Sequence, residues 1–118
     1  MMHDYNSIWD IYTASWRAES REEKLTLFGS CLDQQNVYTD PMTIVTGWDE
    51  LIEYMLEFQQ QIPGGHFITR SFLSHHQQSV AHWEMRNATH KIIGQGISHA
   101  RYNPQGLLLS ETGFFSIP

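Results

Sequence analysis

An α+β domain, three helices leading into a strongly curved antiparallel sheet, is the fold class this chain predicts. Three observations carry it. Apolar residues recur every three or four positions through the first half of the chain, which is the period of amphipathic helices. Beyond Pro63-Gly64-Gly65 the pattern becomes alternation, in runs separated by polar turns, as strands require. Gly94 and Gly96 interrupt the third of those runs, at a place where a bulge or bend lets a sheet curve. Helices gathered ahead of such a meander can cover only one face of it.

Tyr5, Ile8, Trp9, Tyr12 and Trp16 form the stripe of a first helix with an unusually aromatic buried face. Ser20-Arg21-Glu22-Glu23 reads as a capping box opening a second helix. Its stripe is Leu25, Phe28, Cys31 and Leu32, and its end is expected between Asp33 and Asn36. Val37 to Asp40 is a short β-type run stopped by Pro41, which pushes the residue before it to extended geometry. Thr46-Gly47-Trp48-Asp49 offers a further helix start, and Leu51, Ile52, Met55, Phe58 and Ile62 carry the helical period up to Pro63. Strands are then expected over 66–75, 79–87, 91–102 and 107–116, with Asn103-Pro104-Gln105-Gly106 as the last turn.

At 118 residues the chain suits one domain, 1–118, large enough for a core without disulfides or metal. A net charge of −6, with seven Lys and Arg spread along the chain, argues against a phosphate-binding nucleic-acid role. No run reaches the roughly 20 apolar residues of a membrane span, and the N-terminus has neither basic nor apolar signal regions, so a cytoplasmic protein is expected. Cys31, the only cysteine, reads as a small buried hydrophobe. Seven histidines invite a metal reading, but no H-x-H or H-E-x-x-H spacing occurs. Neither metal nor cofactor is expected.

In order and spacing, Trp16-Arg17, Arg21, Leu25, Tyr38-Thr39-Asp40-Pro41, Gly47, Pro63-Gly64, Phe67, His75-His76, Trp83, Gly96 and Gly113-Phe114-Phe115 resemble the nuclear-transport-factor-2-like (NTF2-like) superfamily. Within it they resemble the SnoaL-like group of polyketide-cyclase and ketosteroid-isomerase relatives. The resemblance spans nearly the whole chain. It implies a cone with a deep apolar pocket between helices and concave sheet, and a homodimer through the outer sheet face. Strand alternation puts Ala81, Trp83 and Met85 on one face and Val80, His82 and Glu84 on the other. A hairpin turning over 76–79 would set Phe72 opposite Trp83 and Arg70 opposite Met85.

Asp40 falls where the isomerases of this group carry a general base, and an aromatic pocket would suit that task. As a residue before proline it can equally be a turn-former that accepts backbone amides. Both readings stand at this point. The resemblance places Trp16 near the isomerases' helix-one tyrosine, with Tyr12 a turn earlier, and Ser98 at their late-strand acid, so the polarising donors would be weaker ones. An epoxide-hydrolase relative would use two acids and an arginine, which Asp40, Arg70 and Glu111 could supply; Arg70 and Glu111 can also be a cross-strand structural pair. Tyr54, Phe58, Phe72, Trp83, Met85 and Phe115, with Arg70 and Glu111, complete the expected ligand contacts. The ligand is then a small apolar organic molecule. The alternative is a non-catalytic dimeric module, with His82 and His99 on the outer face able to make association pH-sensitive.

Overall fold

The computed structural model describes residues 3–117. Helix α1 (Tyr5–Arg17) starts at Asp4, whose side chain accepts from the Ser7 amide at 3.1 Å. Helix α2 (Arg21–Phe28) starts at Ser20, whose hydroxyl accepts from the Glu23 amide at 3.1 Å. Between them the wholly buried Lys24 donates to Ser15 O at 2.7 Å and Ala18 O at 2.6 Å. It thereby satisfies carbonyls at the end of α1 that have no helical partner.

The second helix is shorter than its apolar stripe suggested. It ends at Phe28, Cys31 lies in the turn after it, and Leu32 already opens strand β1 (Leu32–Asp40). The Leu108 amide donates to Cys31 O at 2.7 Å, so this backbone is drawn into the sheet and cannot continue a helix. A short strand not anticipated from the sequence, β2 (Thr43–Thr46), folds back on β1 through the turn at Pro41 and Met42. Helix α3 (Gly47–Gln61) follows, with Gly47 at φ +82°, a backbone only glycine adopts freely. Thr46 gives it no side-chain cap; the Glu50 carboxylate instead accepts from the Thr46 amide at 3.1 Å.

Strands β3 (His66–His75), β4 (Gln78–Arg86), β5 (Ile92–Tyr102) and β6 (Leu108–Phe114) make the meander. The six strands lie in the order β2-β1-β6-β5-β4-β3. All pairs are antiparallel except β1 with β6, which is parallel. The sheet is therefore mixed, curled but not closed, with β2 and β3 as its edges. The β3–β4 hairpin turns on two residues, His76 and Gln77, both at positive φ, the signature of the twist-matched two-residue turn.

That tight turn corrects the expected register. Phe72 lies opposite Ala81, and Thr69 lies opposite Trp83. Between Thr69 and Ser71 the register shifts at Arg70, so this one residue, which alternation would have turned inward with Phe72, is left on the exposed face. Gly96 answers a different demand. A Cβ there would sit 2.5 Å from the Trp83 indole and 2.6 Å from Phe114 O, so the missing side chain makes room for the indole to lie across β5.

The helices cover the concave side, where Trp9, Phe28, Leu32, Leu51, Ile52, Met55 and Leu108 form the core. Among the described residues the opposite face carries no layer, and Leu73, Val80, Ile97 and Phe114 are exposed on it. Among the described residues no helix is long and apolar enough to cross a membrane.

Candidate functional site

A cavity of about 410 Å³ opens between the helices and the concave sheet, within the range of small-molecule sites. Helix α1 contributes Trp9, Tyr12 and Trp16, and α3 contributes Tyr54, Glu57 and Phe58. The sheet contributes Tyr38 and Asp40 from β1, Phe67, Trp83, Met85, Ser98 and Gly113, with Phe115 and Ile117 beyond β6. Trp16 is the central wall. Its ring centroid is 5.5 to 6.0 Å from those of Tyr38, Tyr54, Phe58 and Phe67, at interplanar angles of 56 to 89°. Steep angles of this kind build a box and not a stack.

Asp40 forms the polar point of that box. Because strand residues two apart share a face, Tyr38 and Asp40 both point inward from β1. The Tyr38 hydroxyl donates to Asp40 Oδ2 at 2.7 Å and the Tyr54 hydroxyl donates to the same oxygen at 2.6 Å. Asp40 Oδ1 accepts from the amides of Met42 at 2.8 Å and Thr43 at 3.1 Å. Four donors thus occupy the roughly four accepting positions of a carboxylate. Burial, with Asp40 adding to it, pushes both phenols well above the ordinary tyrosine range, so they remain neutral donors. Asp40 both holds the turn and faces the cavity, and the two readings of it describe two oxygens of one group.

The other named residues divide sharply. Ser98 lines the cavity and accepts from Trp83 Nε1 at 2.9 Å. Trp16 and Tyr12 line it too. Tyr54, Phe58, Trp83, Met85 and Phe115 are in the walls. Arg70, Phe72 and Glu111 are not. Arg70 lies on the exposed side, 3.9 Å from Glu84; its ion-pair partner is Glu84 and not Glu111. Phe72 packs on the core below the cavity. The acid, acid and arginine set of a water-positioning hydrolase is therefore dispersed.

Glu111 does point inward, as its parity with Gly113 required, but it is sealed beneath the floor at 1% exposure. Asn36 Nδ2 donates to its Oε2, and also to Leu108 O at 2.9 Å, while Oε1 has no partner. Burial pushes this carboxyl up to about 8, offset in part by Asn36 and Tyr12. It is a neutral acid near pH 7. Sequence reasoning missed the clasp of Tyr38 and Tyr54 on Asp40, although the Tyr38-x-Asp40 spacing on a strand already put those two on one face. It also missed Trp9 and Phe67 as wall residues. Among the described residues no cluster of His, Cys, Asp or Glu could hold a metal. Burial pushes the Cys31 thiol up, in keeping with a packing role.

No protein-family model and no curated protein matches the chain. Solved structures do. A SnoaL-like family protein from Agrobacterium tumefaciens, suggested to be an isomerase, superposes with a TM-score of 0.86 at 20% identity, over 96% of this chain and 97% of that one. A SnoaL-like protein of unknown function from Burkholderia thailandensis gives 0.73 at 13% identity over 99% of both chains. A protein of ketosteroid isomerase-like fold from Catenulispora acidiphila, solved in complex with trimethylamine, gives 0.76 at 12% identity, over 93% of this chain and 85% of that one. At these identities the likeness fixes the fold.

Proposed function

The chain has the NTF2-like fold, and on that premise we propose that it binds a small, largely apolar organic molecule in the cone, with Asp40 as a fixed electrostatic anchor. The carrying observation is an open aromatic cavity whose one buried carboxylate, Asp40, already accepts from four donors. A general base needs a lone pair aimed at the proton it removes. Here one tyrosine would first have to leave Oδ2. This favours binding over proton transfer.

Trp9, Trp16 and Trp83 lie in the walls, so intrinsic fluorescence reports occupancy directly. Titration with a panel of apolar aromatic and polycyclic molecules should give a saturable change and raise the melting temperature. No response from any of them would overturn the reading. Asp40-dependent incorporation of solvent deuterium into a bound ligand would restore the general base.

A homodimer through the bare sheet face is the second part of the proposal. Leu73 and Val80 are cross-strand neighbours, as are Ile97 and Phe114, and all four are exposed. A clustered apolar surface on an uncovered sheet is a site of association. Light scattering should give twice the chain mass, and Ile97→Lys should halve it. A monomeric parent chain would sink the dimer.

A further inference from the structure

Resting on the binding reading above, we infer that the cavity selects an organic cation, and specifically a quaternary ammonium carried on an apolar body. The walls hold two formal charges among the described residues, and both are negative: Asp40, buried, and Glu57, exposed at the rim. Among the described residues no Lys, Arg or His lines the cavity. An anionic ligand would meet two carboxylates and no cation, which disfavours it. A neutral ligand would leave the field of Asp40 unused.

The rings supply what a cation needs. Trp16 is boxed by Tyr38, Tyr54, Phe58 and Phe67 at centroid spacings of 5.5 to 6.0 Å, and Trp83 stands at 88° to Phe67, 5.2 Å away. A cation within about 6 Å of a ring centroid is attracted by the ring quadrupole, most strongly by Trp, and the attraction grows when water is excluded. The kind of cation follows from the four donors on Asp40. A primary ammonium brings N–H groups that must find acceptors, and the carboxylate has no accepting position left for them. An ammonium clothed in methyl groups asks for no lone pair. It uses the charge of Asp40 at a distance and the ring faces in contact.

The test compares benzyldimethyl(hydroxyethyl)ammonium with its uncharged isostere, in which a quaternary carbon replaces the nitrogen, by calorimetry and tryptophan fluorescence. The cation should bind at least tenfold tighter at low ionic strength, and benzylamine should bind more weakly than the quaternary ion. Equal affinities would overturn the cation inference and leave the apolar pocket standing. Binding by neither compound would overturn both. Tighter binding by benzylamine would show that Asp40 does offer an accepting site, against the argument. Asp40→Asn should erase the preference for charge. Because that change disturbs four hydrogen bonds, Glu57→Lys, at the exposed rim, provides the second variant: it should lower the ratio of cation to isostere affinity severalfold, and an unchanged ratio would count against the inference.

Discussion

Two inward-facing acids on neighbouring strands, Asp40 of β1 and Glu111 of β6, differ less in depth than in company. Asp40, at 8% exposure, receives two phenols and two amides. Glu111, at 1%, receives the Asn36 amide on one oxygen and leaves the other unpaired. Burial raises the cost of charge at both sites. Four donors meet the first and one meets the second, where burial prevails and pushes the carboxyl up to about 8. Counting buried acids would have treated them alike; counting their donors separates them.

The largest way to test that contrast is to force charge onto Glu111. The unfolded chain gives up this proton near 4.5 and the folded chain only near 8. Between those values the folded state binds the extra proton, so the Glu111 contribution is complete below pH 4.5 and is lost as pH rises through 8. At about 1.4 kcal/mol per unit the loss is on the order of 4 to 5 kcal/mol. Denaturant unfolding from pH 5 to pH 9 should show the decline in the parent chain, and Glu111→Gln should flatten it. A parent chain of constant stability over that range would mean that Glu111 is already ionised. Next in size is Asp40→Ala. It strands two phenols and two amides, each group costing about 1 to 3 kcal/mol when left buried and unpaired, moderated by solvent at the half-buried Tyr54. A net loss of about 3 kcal/mol is expected by the same measurement.

How far these two environments were legible depends on what set each one. The order of helices and strands followed from periodicity, and the inward set Ala81, Trp83 and Met85 followed from alternation, because both are local properties of the chain. Arg70 was misplaced because a bulge reverses parity without any mark in the residues around it. The end of the second helix was misplaced because a carbonyl at Cys31 is claimed by Leu108, a contact between distant parts of the chain. Glu111 had the right face but not its depth. That depth is fixed by Asn36 and Tyr12 from other elements, and no spacing along β6 encodes them. The position of Asp40 before Pro41 was plain, while the hydroxyl of Tyr54 arrives from α3 and had been read only as aromatic surface.

A smaller change sharpens the comparison by removing one donor from the better-supplied acid. Tyr54→Phe deletes the 2.6 Å bond to Asp40 Oδ2 and keeps the ring in the wall. The cost should be about 1.5 kcal/mol, the low end for a hydrogen bond to a charged group, because Tyr54 is partly open to water. It also returns one accepting position to Asp40. Benzylamine affinity should therefore improve by several-fold relative to the parent, while that of the quaternary ion holds or falls slightly. A fall for both ligands would mean that the hydroxyl itself, and not the saturation of Asp40, governs binding.

Arg70→Ala should do least. Its guanidinium is exposed and 3.9 Å from Glu84, which has a closer partner in Arg86 at 2.7 Å. Exposed pairs of this kind contribute about 0 to 1 kcal/mol, and Glu84 keeps Arg86 when Arg70 is lost. Stability should stay within about 0.5 kcal/mol of the parent, and ligand affinity should not change, because the bulge has turned this side chain to the face opposite both acids. A clear loss of ligand binding in Arg70→Ala would mean that the arginine reaches the cavity, and would place it back beside Asp40 as the sequence pattern first suggested.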